Sequence, residues 1–180
     1  LWVLSYKADS DAQWKRDYGA SIAASVSDLL AAVDWVVLAI KPQQYTRIPS
    51  SALNASQTLI SVMAGIRCER LASDWGTDGS ILRIMPNTAI RIQSGTIGLT
   101  SHETANPSQI KAVNAALSAL GTVVQLDESL FDAETAIGGS GPAFFYRIAQ
   151  QWIAFAVAQG IPEADAQDLV ASTMTGAGRM

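Results

Sequence analysis

The chain has 180 residues, of which 49% are hydrophobic and 16% charged, which is the composition of a globular protein with a sizeable core. Its net charge of −4 provides no basic surface of the kind that binds nucleic acid. No apolar run reaches the roughly 18 residues of a membrane span, and no signal peptide is recognisable. The single cysteine, Cys68, excludes an internal disulfide and fits a cytoplasmic protein, and one histidine leaves too few ligands for zinc.

Short apolar runs alternate with helical segments over residues 1–126, which is typical of a parallel sheet covered by helices. Strands are predicted at residues 1–4, 22–24, 34–40, 58–63, 80–85, 95–100 and 122–126. Helices are predicted at residues 10–18, 67–75 and 106–121, after a cap at Ser25 or Ser27, and in a short stretch broken by Pro49. We therefore expect an α/β fold.

The run at residues 34–40 is apolar throughout and does not alternate, so it predicts a strand buried on both faces of the sheet. It ends at Lys41 and Pro42, where proline stops strand pairing. Ligands of open α/β sheets bind beyond the carboxyl ends of the strands, so Lys41 is placed to meet an anionic ligand. A solvated lysine at a strand exit is the alternative.

Two further strands end in residues that suit a nucleotide. Ala64 and Gly65 let a ligand approach the backbone closely, and the Asn87 amide offers both a donor and an acceptor to a carboxamide or a ribose. Each feature is also common in turns. Together, on successive strands, they predict a nucleotide site at one edge of the sheet.

From residue 127 onward the pattern is helical, interrupted at residues 138–141. Pro142 opens a long apolar helix at residues 143–158, Gly160 ends it, and Pro162 starts another. The long helix is apolar on more than one face, so we expect it to be buried, between domains or subunits or against further helices of its own domain.

Four segments carry a resemblance to a known family: VLAIKPQ (37–43), ISVMAGI (60–66), RIMPNT (83–88) and GSGPA (139–143). In this order and spacing they resemble pyrroline-5-carboxylate reductase, the enzyme that makes proline. The resemblance covers essentially the whole chain. It implies a Rossmann-type, doubly wound, mostly parallel sheet that binds NAD(P)H over residues 1–126, followed at 127–180 by the start of an all-helical domain that dimerises and completes the active site.

The resemblance also implies roles for individual residues. Those expected to line the cofactor's phosphate and ribose are Ala39, Ile40, Lys41 and Pro42. Those expected on its nicotinamide side are Met63, Ala64, Gly65 and Asn87. The catalytic residues are not assigned, no metal site is expected, and the candidates nearest the reacting centre are Ser140, Gly141 and Pro142.

The chain departs from the family pattern at three positions. Ala89 stands where the family usually has proline, Gly138 where it usually has serine, and Val26 where relatives often have asparagine. We expect a cofactor contact to be absent at Val26, with Ser25 or Ser27 as its substitute. The Gly138 change weakens any claim of substrate-side hydrogen bonding there.

Both ends of the chain indicate an internal piece of a longer protein. The Gly-x-Gly-x-x-Gly turn that cradles a pyrophosphate would precede Leu1, and the family's Pro-Gly-Gly-Thr segment, which holds the substrate, would follow Met180. We therefore expect this chain alone to bind NADPH poorly and to turn nothing over.

The segment Ser5-Tyr6-Lys7 bears on the choice of cofactor. NAD-specific Rossmann domains place an acidic residue at the end of the second strand, where this chain has hydroxyl groups and a lysine. These side chains suit the 2′-phosphate of NADPH, which we predict over NADH. Alternatively, Lys7 is a turn lysine and Asp9 takes the acidic role.

The implied reaction is hydride transfer from NADPH to the C=N carbon of 1-pyrroline-5-carboxylate, giving proline. No strong general acid is evident, since we expect His102 to be a surface residue and Glu134 to be solvated or capping. The imine can arrive already protonated.

Two alternatives stay open. One is a related reductase of another imine or of a β-hydroxy acid, although such relatives generally carry a catalytic lysine on the first long helix, where Arg147 is the only cation here. The other is a nucleotide-binding or dimerisation module without catalysis.

Overall fold

The computed structural model describes residues 1–5 and 8–180 and places their strands in two sheets. β1 (Trp2–Val3) and β2 (Ser21–Ile22) form a small parallel sheet. The larger sheet has the strand order β3–β4–β5–β6–β7, formed by Trp35–Leu38, Thr58–Ser61, Ser80–Pro86, Gly95–Ser101 and Gly121–Gln125. Neighbouring strands are parallel except for β5 and β6. The predicted α/β class with a mostly parallel sheet is confirmed.

Helices connect these strands and then continue alone to the end of the chain. The α-helices α1 to α7 are Ala8–Tyr18, Val26–Ala32, Cys68–Trp75, Pro107–Leu117, Phe131–Glu134, Gly141–Ala158 and Glu163–Arg179. Short 3₁₀ turns occur at Pro42–Arg47, Thr88–Ile92, Ser118–Leu120 and Glu128–Leu130, and a π turn at Thr135–Gly139. None of the described helices has both the length and the hydropathy needed to cross a bilayer.

Side-chain caps begin several of these helices where the sequence predicts them. Ser25, rather than Ser27, caps α2 by accepting a hydrogen bond from the backbone N–H of Asp28 at 3.1 Å. Asn106 caps α4 by accepting from the Ser108 N–H at 2.9 Å, with Pro107 in the first turn. Gly19 follows the end of α1 with a φ of 60°, in the left-handed region that glycine tolerates.

The larger sheet separates two hydrophobic cores. On one face, Leu59 and Ile81 pack against Leu71 and Trp75 of α3. On the other face, Ile60, Leu82, Ile84, Ile97 and Leu99 pack against Val113 of α4. Every residue of β4 is buried, as are the first six of β5, so these two strands form the centre of the sheet.

β3 is buried on one face only, and the prediction of burial on both faces was wrong. Val36 and Leu38 are 3% and 6% exposed, whereas Trp35 and Val37 are 42% and 55% exposed. β3 ends the row of strands that the structure describes in the larger sheet, and the described helices cover only its Val36 side. An apolar run indicates that side chains favour burial, but it does not show that the covering element lies in the same segment of chain.

The antiparallel pairing of β5 with β6 has a simple cause in chain length. Residues 87–94 join the two strands through the 3₁₀ turn Thr88–Ile92 and Gln93, whose φ is 56°. A crossover between parallel strands needs about a dozen residues or more, so β6 must return antiparallel to β5.

The long helix α6 is exposed within this chain, and its expected burial between domains or subunits or against further helices stays a prediction. Phe144, Phe145 and Phe155 are 66%, 61% and 68% exposed, and Trp152 is 48% exposed. α6 packs against α7, where Ala166 and Val170 are buried, but this contact covers one side only. Its large apolar surface is therefore open to a further packing partner.

Candidate functional site

The carboxyl ends of β3, β4 and β5 lie side by side along one edge of the sheet. In the parallel register Leu38 pairs with Ser61, and Ser61 pairs with Arg83. Lys41, Ala64 and Pro86 each follow one of these residues by three positions. The topology thus brings the predicted phosphate, nicotinamide and amide positions to the same edge.

The first strand end presents Lys41 to solvent and anchors the turn that follows it. Lys41 is exposed, as is Ala39, while Ile40 and Pro42 are half-buried. Lys41 forms no ion pair with another described residue. An exposed cation that is unpaired among the described residues, at the carboxyl end of a strand, is suited to an anionic ligand.

Tyr45 fixes the 3₁₀ turn after Lys41 onto α3. Its hydroxyl group donates to Asp74 Oδ2 at 2.9 Å and accepts from Trp75 Nε1 at 3.2 Å. Burial and the bond to Asp74 raise the pKa of Tyr45 to about 12, so the phenol stays neutral. Arg70 also donates to Asp74, at 2.7 Å. This network holds the Lys41 end of β3 in place.

The second strand end combines a core side chain with an open backbone. Met63 is 1% exposed and packs in the core beside α3, so its side chain faces away from solvent. Ala64 and Gly65 are exposed, and Gly65 has a φ of 74° with no atom within 4 Å of the position a Cβ would take. The backbone at Ala64 and Gly65 is therefore open to a ligand.

The third strand end is tied to the helical segment through Asn87. Its Nδ2 donates to the Gly138 carbonyl oxygen at 3.0 Å, and its Oδ1 accepts from the N–H groups of Ala89 at 3.1 Å and Thr96 at 3.4 Å. One Nδ2 hydrogen remains for a ligand. Because proline has no N–H group, Ala89 provides a hydrogen bond to Asn87 that a proline at this position could not form.

Ser140, Gly141 and Pro142 lie where the π turn passes into α6. The Ser140 N–H donates to the Thr135 carbonyl at 2.8 Å, which closes the wide turn. Ser140 is exposed, Gly141 is buried and Pro142 is half-buried. A Cβ on the neighbouring Gly139 would lie 3.5 Å from Met85 Cγ, so this turn rests against β5 near its carboxyl end. Isolated π turns of this kind often occur at functional sites.

The buried Arg83 of β5 forms an ion pair with the half-buried Glu128 that the sequence analysis did not predict. Arg83 donates through Nη1 to Glu128, and its guanidinium lies 4.9 Å from the centre of the Phe131 ring. Glu128 Oε1 also accepts from the Cys68 N–H at 2.8 Å, at the start of α3. Burial acts to raise the pKa of Glu128, but the bonds from Arg83 and Cys68 outweigh it and leave the pKa lowered. The only sequence signal was one charge inside an apolar strand.

The lone cysteine is structural rather than reactive. Cys68 is 2% exposed, and burial, with the neighbouring Glu128 carboxylate, raises the pKa of its thiol to about 12. Among the described residues no group of three or more His, Cys, Asp or Glu side chains could hold a metal ion.

Glu134 is buried, and the prediction that it is solvated or capping was wrong. The residue is 8% exposed, and neither carboxyl oxygen accepts a hydrogen bond within the part of the chain that the structure describes. Burial raises the pKa of Glu134, an effect that the nearby Gly98 N–H partly offsets. His102 is half-buried in a turn, where its Nδ1 lies 2.9 Å from Thr104 Oγ1.

The residues expected to select the cofactor are only partly described. Ser5 Oγ lies 2.9 Å from Ser10 Oγ, while Tyr6 and Lys7 lie outside the described residues. Val26, where relatives often have asparagine, is 7% exposed and belongs to the core beside α3.

Two family models match this chain. Residues 128–180 match the model described as pyrroline-5-carboxylate reductase dimerisation, and residues 1–65 match NADP oxidoreductase coenzyme F420-dependent. A crystal structure of 1-pyrroline-5-carboxylate reductase from Streptococcus pyogenes is 30% identical, with a TM-score of 0.90 over 99% of this chain and 69% of that one.

The chain belongs to the pyrroline-5-carboxylate reductase family.

A curated pyrroline-5-carboxylate reductase from Methanosarcina acetivorans is 33% identical over 150 residues, which cover 82% of this chain and 56% of the relative. The crystal structure of pyrroline carboxylate reductase from Plasmodium falciparum with NADP bound is 26% identical, with a TM-score of 0.86 over 100% of this chain and 67% of that one. The chain spans 56–67% of the length of the first curated relatives. These comparisons confirm the Rossmann-type fold followed by a helical segment of the dimerisation family.

Proposed function

We propose that this chain is part of a pyrroline-5-carboxylate reductase, which reduces the C=N bond of 1-pyrroline-5-carboxylate with NADPH to give proline. The observation that carries the proposal is the alignment of the β3, β4 and β5 ends, which sets Lys41, Gly65 and Asn87 along one edge of a parallel sheet. Membership of the family supports the choice of substrate.

The residues at this edge fit a dinucleotide. Lys41 is an exposed, unpaired cation for a phosphate, and the exposed backbone around Ala39 is beside it. Gly65 leaves open space where any other residue would place a Cβ. When bound, NADPH supplies the hydride that reduces the imine carbon.

In the proposed reaction, the residues of this chain bind the cofactor and orient it toward the substrate. Ile40 and Pro42 flank the lysine, Ala64 and Gly65 provide backbone contact, and Asn87 has one amide hydrogen to offer. Met63 takes part through its backbone, because its side chain is committed to the core. Ser140, Gly141 and Pro142 border the substrate side of the same edge. No proton donor is assigned, and a protonated imine does not require one.

NADPH is proposed over NADH. Ser5, Tyr6 and Lys7 follow the first strand with hydroxyl groups and a cation, which suit a 2′-phosphate better than a carboxylate would. The NADP oxidoreductase model matched by residues 1–65 and the NADP-bound Plasmodium relative support this choice.

The proposed organisation is a cofactor domain at residues 1–126 and a helical domain at residues 127–180 that forms a homo-oligomer. The exposed aromatic face of α6 and the dimerisation model matched by residues 128–180 support a second copy as the partner. A cytoplasmic location is proposed from the free, buried Cys68, which fits a reducing compartment. Neither nucleic acid nor a membrane is part of the proposal.

The test is proline formation from 1-pyrroline-5-carboxylate, followed by NADPH oxidation, in the full-length product of the gene and in this chain alone. We expect turnover by the full-length protein, with NADPH preferred over NADH. A Lys41→Ala variant should raise the KM for NADPH about tenfold through loss of one charge-assisted contact, and Lys111→Ala, on the distant helix α4, serves as the control. Activity on other imines or β-hydroxy acids but not on this substrate would favour the related reductases, and NADPH binding without any turnover would favour a non-catalytic module.

A further inference from the structure

The junction between the sheet and the helical segment contains a buried carboxyl group that has no side-chain partner among the described residues and only the nearby Gly98 N–H acting on it. Glu134 is 8% exposed, and both of its carboxyl oxygens are enclosed. It is the last residue of α5, directly before the π turn. Burying a polar group without a partner costs stability, so this arrangement needs a reason beyond the packing of the fold.

Two glycines make room for this carboxyl group. A Cβ on Gly98 would lie 2.7 Å from Glu134 Cδ, and a Cβ on Gly138 would lie 2.5 Å from Glu134 Oε1. Neither glycine has a positive φ, so the backbone conformation does not require glycine at either position. Glycine is required at both positions because the Glu134 carboxyl group occupies the space that a side chain would need. Glu134, Gly98 and Gly138 therefore form one packing unit.

This packing unit is directly connected to the proposed cofactor edge, which is formed by the carboxyl ends of β3, β4 and β5. The Gly138 carbonyl accepts the hydrogen bond from Asn87 Nδ2 at 3.0 Å, while the Cα side of Gly138 faces Glu134. Thr96 of β6, whose side chain also lies close to Gly138, donates its N–H to Asn87 Oδ1 at 3.4 Å. A displacement of Gly138 would consequently move the Asn87 amide.

Among the described residues of β5, β6 and the π turn, no unpaired opposite charge is available to pair with an ionised Glu134. β6 and the π turn contribute no charged residue. On β5 the charged side chain on this face is Arg83, which is committed to Glu128 and Phe131. Asp132, on α5 itself, is exposed. Burial raises the pKa of Glu134, which favours its neutral acid over the carboxylate.

We propose that Glu134 is a positioning residue, whose neutral carboxylic acid fills the space between Gly98 and Gly138 and so holds the Gly138 carbonyl on the Asn87 amide. An ionised carboxylate would need hydration that this space cannot provide, so its formation would loosen the contact. The consequence for NADPH binding rests on the proposed function, whereas the packing unit and its effect on Asn87 do not.

The first test is independent of any enzymatic activity and follows the Asn87 side-chain amide by ¹H–¹⁵N NMR between pH 5 and pH 9. In the native chain we expect the Nδ2 signal to move with a midpoint above the ordinary glutamate pKa of about 4.3. In Glu134→Gln the signal should remain at its low-pH position throughout. An Asn87 signal that does not respond to pH, or that titrates equally in both proteins, overturns the proposal.

The second test is a double-mutant cycle on melting temperature. Gly138→Ala should lower the melting temperature in the native chain because the new Cβ meets Glu134 Oε1. In the Glu134→Ala background the next atom is Thr96 Cγ2, at an ordinary 3.5 Å, so the same substitution should cost nothing. Gly176→Ala, where a Cβ meets open space, is the control. An equal cost of Gly138→Ala in both backgrounds contradicts the packing unit.

The third test is NADPH affinity of the full-length protein. Glu134→Ala should raise the Kd about tenfold or more, Glu134→Gln should restore it and remove its pH dependence, and Asp132→Asn should leave it unchanged. Native affinity in Glu134→Ala overturns the positioning role. If the native protein neither binds NADPH nor forms proline, the proposed function fails, and the first two tests still decide the packing unit.

Discussion

The central strands and the junction at residues 127–141 are held together by different means. β4 and β5 are covered on both faces by apolar side chains such as Leu59 and Leu82, both 0% exposed. The junction is joined to the sheet by the buried Phe131 and also by polar groups, through Arg83 with Glu128 and Asn87 with the Gly138 carbonyl. These directional hydrogen bonds fix one relative placement of the junction and the sheet. The proposed cofactor edge, at the carboxyl ends of β3, β4 and β5, lies where the two kinds of structure meet.

The largest loss of stability is expected when one partner of the Arg83–Glu128 ion pair is removed. Glu128→Ala leaves the Arg83 guanidinium buried without its carboxylate and the Cys68 N–H without an acceptor. We expect the free energy of unfolding to fall by about 3 kcal/mol or more in urea denaturation at pH 7. Arg16→Ala, which removes an exposed pair with Asp17, should leave the urea midpoint unchanged. Equal behaviour of the two variants would show that the junction does not depend on its ion pair.

Truncating a side chain in the hydrophobic core tests the contribution of apolar packing in the same way. Leu71 of α3 is 0% exposed, so Leu71→Ala should reduce the free energy of unfolding by about 2–5 kcal/mol. The effect of Leu71→Ala should stay the same as pH falls below 4.5, where that of Glu128→Ala diminishes, because no titrating group is involved at Leu71. Urea unfolding above and below pH 4.5 measures both properties, and a strong pH dependence for Leu71→Ala would contradict the distinction.

The buried Glu134 and the half-buried Glu128 of the junction should respond to pH with opposite signs. The pKa of Glu134 is raised above 4.5, so its stabilising contribution is present at lower pH and is lost as pH rises through the raised value. The pKa of Glu128 is lowered from 4.5, so its contribution is present above 4.5 and is lost as pH falls through the lowered value. Glu134→Gln should therefore gain stability relative to the native chain between pH 4 and pH 8, in urea unfolding at each pH.

The smallest effect on stability is expected at the exposed helix α6. A substitution there should affect oligomer formation rather than the stability of the subunit. Phe155→Ser on α6 removes a side chain that is 68% exposed, so the melting temperature of an isolated subunit should change little. The same change should shift the oligomer toward monomer in light scattering, because it disrupts the proposed contact with a second copy. Gln150→Ser, also exposed on α6, is the control. An unaltered oligomer in Phe155→Ser would place the interface elsewhere.

The sequence predicted the sheet better than the junction for a physical reason. The predicted strands, the caps at Ser25 and Asn106 and the start of α6 at Pro142 depend on local patterns, and the structure has them. The partners of the junction are 45 and 51 residues apart, in Arg83–Glu128 and Asn87–Gly138. No local pattern reports such a pairing. Glu134 was misjudged because its burial depends on Gly98 of the distant strand β6 as well as on the nearby Gly138.

The outer surfaces show a second limit of sequence reasoning. The exposed Val37 of β3 and Phe144 of α6 are both apolar, so their sequence correctly indicates that they favour burial. The identity of the element that covers these side chains cannot be deduced from the residues themselves. The cofactor residues share this limit, since parallel strand ends predict an edge but not the ligand that occupies it.

The most direct test of the account is to map NADPH binding residue by residue with ¹H–¹⁵N NMR on the full-length protein. We predict that the amide signals of Lys41, Gly65 and Asn87 shift together along one binding curve, while those of Phe144 and Phe155 on α6 stay in place. Saturable NADPH binding that leaves these three signals unmoved, or that moves them with unrelated affinities, would contradict a single cofactor site at the ends of β3, β4 and β5.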